Sequence, residues 1–246
     1  MIGAFKRQLL SNLAFIFLFS FLFAVYCQSA IFFFDNAEVV RENTAASSDF
    51  TERLILLDAG HGGEDGGTVG VNGINEKVLN LETSAALEVY LRFAGFEVVQ
   101  TRTEDVLLYD KSTDFKGRKK MLDLAERLRI AEELLPDLFI SIHMNSFPDG
   151  KYAGLTVYYS PNDERSRVAA ELMRASVVEH LQPDNRRELK RAGSNIYLLD
   201  RLDTPSVLVE CGFLSNAEEC ELLCTKEYRH KLSFVLFSSV SSFFEE

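Results

Sequence analysis

Residues Leu54–Asn80 read LILLDAGHGGEDGGTVGVNGINEKVLN. An apolar run, Leu54–Leu57, ends at Asp58. A loop with seven glycines follows: Gly60, Gly62, Gly63, Gly66, Gly67, Gly70 and Gly73. Asn75 then stands at a helix N-cap position, and an apolar-periodic segment begins at Glu76. The stretch predicts a strand, a pliant loop and a helix. Glycine lets a main chain pack close to another group, and this loop carries His61, with Glu76 in the first helical turn.

Two more apolar runs end in residues of the same chemistry. Leu138–His143 (LFISIH) ends in a histidine, and Ser206–Glu210 (SVLVE) ends in an acid. Ligands of open α/β sheets bind beyond the carboxyl ends of the strands. Three strands thus deliver His61, His143 and Glu210 to one edge, and the first helix delivers Glu76. Two histidines and one carboxylate make a catalytic zinc set with an open fourth position. The carboxylate left over is free to move protons.

Working outward, helices are expected over Glu76–Phe93, Lys119–Leu135, Asp163–His180, Ala217–Leu223 and Tyr228–Phe244. Strands are expected over Glu97–Thr101, Gly154–Ser160 and, briefly, Asn195–Leu199, besides the three already named. The polar stretches Asp105–Gly117 and Gln182–Ser194 read as loops. Alternation of strands and helices predicts an α/β fold: a mainly parallel, twisted sheet of about six strands, with helices on both faces.

Upstream, Leu9–Phe34 holds 26 residues without a charge, after Lys6 and Arg7 and before Asp35, Glu38 and Glu42. A bilayer span needs about 20 such residues, and the charge asymmetry puts the N-terminus inside. Residues 1–34 are therefore read as a signal-anchor segment held in a membrane, with a cleaved signal peptide as the alternative. Residues 35–52 form a polar linker reaching about 60 Å when extended, and residues 53–246 form the catalytic domain. Net charge is −11, which argues against a nucleic-acid partner. The four cysteines lack paired zinc spacing; Cys211, Cys220 and Cys224 read as small buried hydrophobes.

The bland readings are plain residue by residue. Alone, His61 is a loop histidine, His143 a strand-end histidine and Glu76 an acid favoured by a helix dipole. Asp65 is a turn residue or a partner of a metal-bound histidine. Glu210 could instead pair with Arg102 or Arg127. His180 and His230 fall on helices without such company. A phosphate-cradling loop would end in G-K-[ST], which is missing here.

The segments Asp58–Gly70, Asn75–Leu81, Thr101–Arg102, DLFISIHMNS (Asp137–Ser146) and TPSVLVECGFLSN (Thr204–Asn216) resemble the zinc N-acetylmuramoyl-L-alanine amidases. The resemblance runs from about Arg53 to Glu246. It implies that His61, Glu76 and His143 are zinc ligands and that Glu210 is the catalytic glutamate. It implies peptidoglycan as substrate, cut between the muramic-acid lactyl group and L-alanine. Arg118–Glu133 and Ser194–Asn216 resemble the spore-cortex branch found in spore-forming bacteria. That branch implies action outside the cytoplasm, ahead of muramic-lactam formation in the cortex, and leaves room for an accessory protein. Met144-Asn145-Ser146 replaces the family's usual Ala-Asn-Ala; Asn145 is kept and, with Arg102, is a candidate substrate contact. The rival functions are a non-catalytic wall-binding protein of the same fold and a zinc hydrolase of another amide.

Overall fold

The computed structural model describes residues 53–110, 112 and 116–245. The expected anchor, the linker and Cys27 lie outside the described residues. Six strands are observed: β1 (Leu54–Ala59), β2 (Glu97–Gln100), β3 (Leu138–Asn145), β4 (Thr156–Tyr159), β5 (Lys190–Arg191) and β6 (Ser206–Phe213). The helices are α1 (Glu76–Phe93), α2 (Lys119–Leu134), α3 (Arg165–His180), α4 (Tyr197–Arg201), α5 (Ala217–Cys224) and α6 (Lys226–Glu245).

The sheet order is β2-β1-β3-β6-β4-β5. β1 runs parallel to β2 and β3, and β3 runs parallel to β6. β4 is antiparallel to β6, and β5 follows β4. The mainly parallel α/β sheet is therefore as expected, with one reversed margin.

Side chains alternate across each strand, and this divides the core in two. Ile55, Leu57, Ile140, Ile142, Val207 and Val209 face one cluster with apolar residues of α1, α3 and α6, such as Leu87, Met173 and Leu236. Leu56 and Phe139 face the other, with Ala131 of α2, Leu198 and Leu199 of α4, and Leu202. Asp58, Ser141, His143, Leu208 and Glu210 share parity with that second, smaller cluster. Where its cover ends, polar side chains take over the sheet surface.

The expected strand at Asn195–Leu199 is corrected: the segment becomes α4, and the fifth strand is Lys190–Arg191. Leu198 and Leu199 are both buried in one cluster. A strand would send these neighbours to opposite faces, whereas a helical turn can bury both. A two-residue strand is too short to show alternation.

Helix starts are satisfied in different ways. At α5 the Asn216 side chain accepts from Glu219 N–H at 3.1 Å, as its spacing suggests. At α1 the Asn75 side chain makes no cap bond. Loop carbonyls serve instead: Glu76 N–H donates to Thr68 O at 2.9 Å and Lys77 N–H to Gly66 O at 3.2 Å. The glycine-rich loop thus folds back onto the helix that follows it, and Glu76 is fixed as part of that turn.

Candidate metal centre

The loop after β1 holds His61 with φ of 62°, a left-handed conformation that costs a non-glycine residue on the order of 1–3 kcal/mol. Three bonds hold it there. Arg127 Nη2 donates to His61 O at 2.7 Å, and Gly62 and Asp65 exchange backbone bonds of 2.9 and 3.0 Å. Asp65 Oδ2 lies 2.8 Å from His61 Nδ1, and its Oδ1 accepts from Gly67 N–H at 3.2 Å. Asp65 is therefore both turn residue and imidazole partner. With Nδ1 so engaged, His61 Nε2 faces Glu76 Oε2 at 3.3 Å.

Glu76 is almost fully buried and is held at both oxygens. Oε1 accepts from Asn80 Nδ2 at 3.2 Å and Met144 N–H at 3.1 Å, and it faces His143 Nδ1 at 2.9 Å. Oε2 accepts from Thr68 N–H at 2.9 Å. Ligand atoms of His61, Glu76 and His143 all lie within 4.8 Å of one another. The loop's glycines make room for this. A Cβ on Gly60 would fall 2.2 Å from His143 Nε2, and one on Gly67 would fall 2.5 Å from Glu76 Oε2.

The electrostatics favour positive charge at the centre. Burial alone would push the Glu76 carboxyl up, but the two histidines hold it far below the usual carboxylate range. Burial would lower His61, yet Glu76 and Asp65 raise it above an ordinary imidazole. A divalent cation would meet the same field, and two imidazole nitrogens with one carboxylate oxygen suit such an ion.

Glu210 stands beside this cluster. It is the register partner of His143 across β3 and β6. Its Oε2 is buried without a hydrogen-bond partner among the described residues. Burial pushes its carboxyl above the usual range; His143 opposes this and Glu76 adds to it. The alternative pairing with arginine is not formed. Arg127 is committed to Asp58 and Asp123, and Arg102 to backbone carbonyls.

Residues 55–240 match the model of the Amidase_3 family, N-acetylmuramoyl-L-alanine amidase. The chain belongs to that family. The germination-specific N-acetylmuramoyl-L-alanine amidase of Bacillus subtilis is 32% identical over 194 residues, covering 79% of this chain and 81% of its own length. The amidase AmiA of Salmonella typhimurium is 29% identical over 236 residues, covering 79% of this chain and 77% of its own. Among solved structures, the CwlD amidase from Clostridioides difficile in complex with the GerS lipoprotein aligns with a TM-score of 0.76 and 32% identity. It covers 79% of this chain and 99% of that one.

The amidase's cluster opens into a cavity of about 290 Å³, lined by His61, His143, Glu210, Lys120, Tyr158 and Tyr197 among others. The sequence reading missed its far wall. Tyr158 comes from the reversed strand β4 and Tyr197 from α4, so no strand-end motif marked them. It also missed the buried network beneath the cluster. Asp58 accepts from Thr101 Oγ1 and Ser141 Oγ, each at 2.7 Å, and pairs with Arg127. Burial would raise the Asp58 carboxyl, but Arg127 holds it below its ordinary value. The one available signal was a charged residue ending an apolar strand.

Arg102, the other candidate substrate contact, is held inside the fold. It is 3% exposed, and its nitrogens donate to Ala59 O, Gly60 O, Lys77 O and Glu104 O at 2.8–3.0 Å. A guanidinium has five donors, and here they tie the loop to α1. Asn145 sits half-buried at the end of β3 and uses its Oδ1 on Ser146 N–H at 2.8 Å. Cys211 and Cys220 are buried free thiols and Cys224 is half-buried. His230 Nδ1 lies 3.2 Å from Tyr90 OH, and His180 is exposed. Neither histidine joins the cluster.

Proposed function

We propose that the chain is a zinc hydrolase that cuts the amide between N-acetylmuramic acid and the L-alanine of the peptidoglycan stem. One observation carries the reading: ligand atoms of His61, Glu76 and His143 gather within 4.8 Å of one another, beside a buried Glu210 oxygen with no hydrogen-bond partner among the described residues. His61, Glu76 and His143 would hold zinc. When bound, zinc supplies Lewis acidity, polarising a carbonyl and making water acidic near neutral pH.

The residues of the chain do the rest. Asp65 holds His61 in the tautomer that leaves Nε2 free. Arg127 and Arg102 brace the loop carbonyls so that the three donors stay in place. Glu210 takes the proton of the attacking water at its free oxygen and returns it to the leaving amine. Asn145, at the strand end beyond His143, is a candidate substrate contact.

Mass spectrometry of muropeptides, with and without the full chain, tests the reading. The expected products carry a free lactyl carboxyl on muramic acid and a free L-alanine amino terminus. Binding without new ends would leave a wall-binding protein, and different ends would mean another amide. We assign the protein to spore-cortex maturation ahead of muramic-lactam formation, on its similarity to the germination-specific amidase. Cortex from cells lacking the gene is then expected to lose muramic lactam.

We also place the domain outside the cytoplasm, held by residues 1–34, with an accessory protein as candidate partner. The solved relative in complex with a lipoprotein supports the partner. Membrane fractionation with protease accessibility, followed by affinity capture from the membrane fraction, tests both. A soluble, protease-protected chain without a stoichiometric companion would reject them.

A further inference from the structure

The chain carries 26 basic residues against 37 acidic, yet residues 186–191 (RRELKR) hold four basic residues and one acid. They form one side of an open groove of about 590 Å³, lined by Lys151, Tyr152, Arg186, Arg187, Glu188 and Lys190 among others. Among the described residues, most other cations near the centre are already neutralised: Lys77 by Asp105, Arg127 by Asp58, and Lys120 faces Asp65 at 3.7 Å. Lys151 pairs with Asp149. Arg186, Arg187 and Lys190 form no close salt bridge among the described residues, although Lys190 acts from a distance on the Glu210 carboxylate and Arg187 on that of Glu219.

The groove adjoins the Glu210 side of the catalytic cavity. Lys190 is the register partner of Tyr158, which lines that cavity. Its Nζ lies 3.3 Å from Tyr158 OH and 5.2 Å from the ring centroid. Thr156 is the register partner of Glu210, and Arg187 Nε donates to Thr156 Oγ1 at 2.6 Å. Arg187 is spent on shape: it lies over the Phe213 ring at 4.5 Å. Arg186 and Lys190 are exposed.

The two sides of the scissile amide differ in charge. The sugar side is neutral, because its lactyl carboxyl is consumed in the bond. The peptide side carries free carboxylates, the nearest being the α-carboxylate of the second stem residue when that residue is γ-linked D-glutamate. We propose that Lys190 and Arg186 bind a stem-peptide carboxylate in this groove. The peptide arm then lies over β4 and β5, and the departing amine leaves on the Glu210 side. This orientation rests on the amidase reading; the carboxylate site itself does not need turnover.

Calorimetry on the full chain tests the site with free L-Ala-γ-D-Glu-meso-diaminopimelate, and with the same tripeptide carrying D-isoglutamine. The expected result is tighter binding of the acid than of its amide, weakening with ionic strength. Lys190→Ala is expected to weaken acid binding by about tenfold, the scale of one charge-assisted hydrogen bond. Lys190→Arg is expected to retain it, and Arg186→Ala to weaken it in the same direction. With muropeptide substrate, Lys190→Ala is expected to raise KM by more than it changes kcat.

Equal binding of acid and amide, no binding of either, or unchanged binding by Lys190→Ala would overturn the site. Lys190-dependent binding by a chain that hydrolyses no muropeptide would keep the site and sink the amidase reading. Hydrolysis with Lys190-independent binding would do the reverse.

Discussion

Glu210→Gln is expected to lower amidase turnover by about 10²–10⁴ while zinc content and melting temperature stay near wild type. Glutamine is nearly isosteric, so the packing within β6 survives. Among the described residues, the Glu210 oxygen that matters has no hydrogen-bond partner to lose, and no arginine is left unpaired by the change. What disappears is the ability to accept a proton from water. Alternative roles give other patterns on the same preparation. A fourth metal ligand would lose zinc along with rate. A structural acid paired with a cation would lose stability by about 3–5 kcal/mol and keep its turnover per folded molecule. A near-normal rate would falsify the catalytic assignment.

Removing a ligand is expected to act through the metal itself. His143→Ala deletes the nitrogen 2.9 Å from Glu76 Oε1, and His61→Ala deletes the ring held by Asp65 at 2.8 Å. Changing even a supporting partner of a ligand typically costs about 10–100-fold in metal affinity, so losing a ligand should exceed that. Each variant is expected to fall from one zinc per chain to substoichiometric zinc, with hydrolysis abolished. A second readout does not depend on activity. Zinc held by the folded state alone would stabilise it, so added zinc is expected to raise the melting temperature of the wild type by mass action. It should raise that of either variant much less. Stoichiometric zinc in both variants would show the ligand set to be elsewhere.

Much of the centre was legible because several of its residues close apolar runs, although β3 continues to Asn145 and β6 to Phe213. Hydrophobic runs stopping at Asp58, His143 and Glu210 announce both a buried parallel sheet and the edge where chemistry collects. The glycine run pointed to something packed close to the main chain, and the structure shows the His143 side chain at Gly60 and those of Glu76 and His61 at Gly67. The surroundings of Arg102 were not legible, since an arginine after a strand gives no sign that its donors go to carbonyls of β1, the loop and α1.

By itself, then, the sequence determined the α/β alternation outside the stretch of β5 and α4, the strands that carry His143 and Glu210, and the helix start that carries Glu76. These follow from local pattern: apolar runs, periodicity and turn chemistry act over a few residues. Only the tertiary structure decided the rest. Register across β3 and β6 set Glu210 beside His143. Reversal of β4 brought Tyr158 to the cavity and Lys190 alongside it. Burial beneath the loop joined Arg127 to Asp58, 69 residues away, and to the carbonyl of His61, 66 residues away. Such pairings are chosen by packing and by the need to satisfy buried polar groups, and the residues involved carry no mark of their partners along the chain.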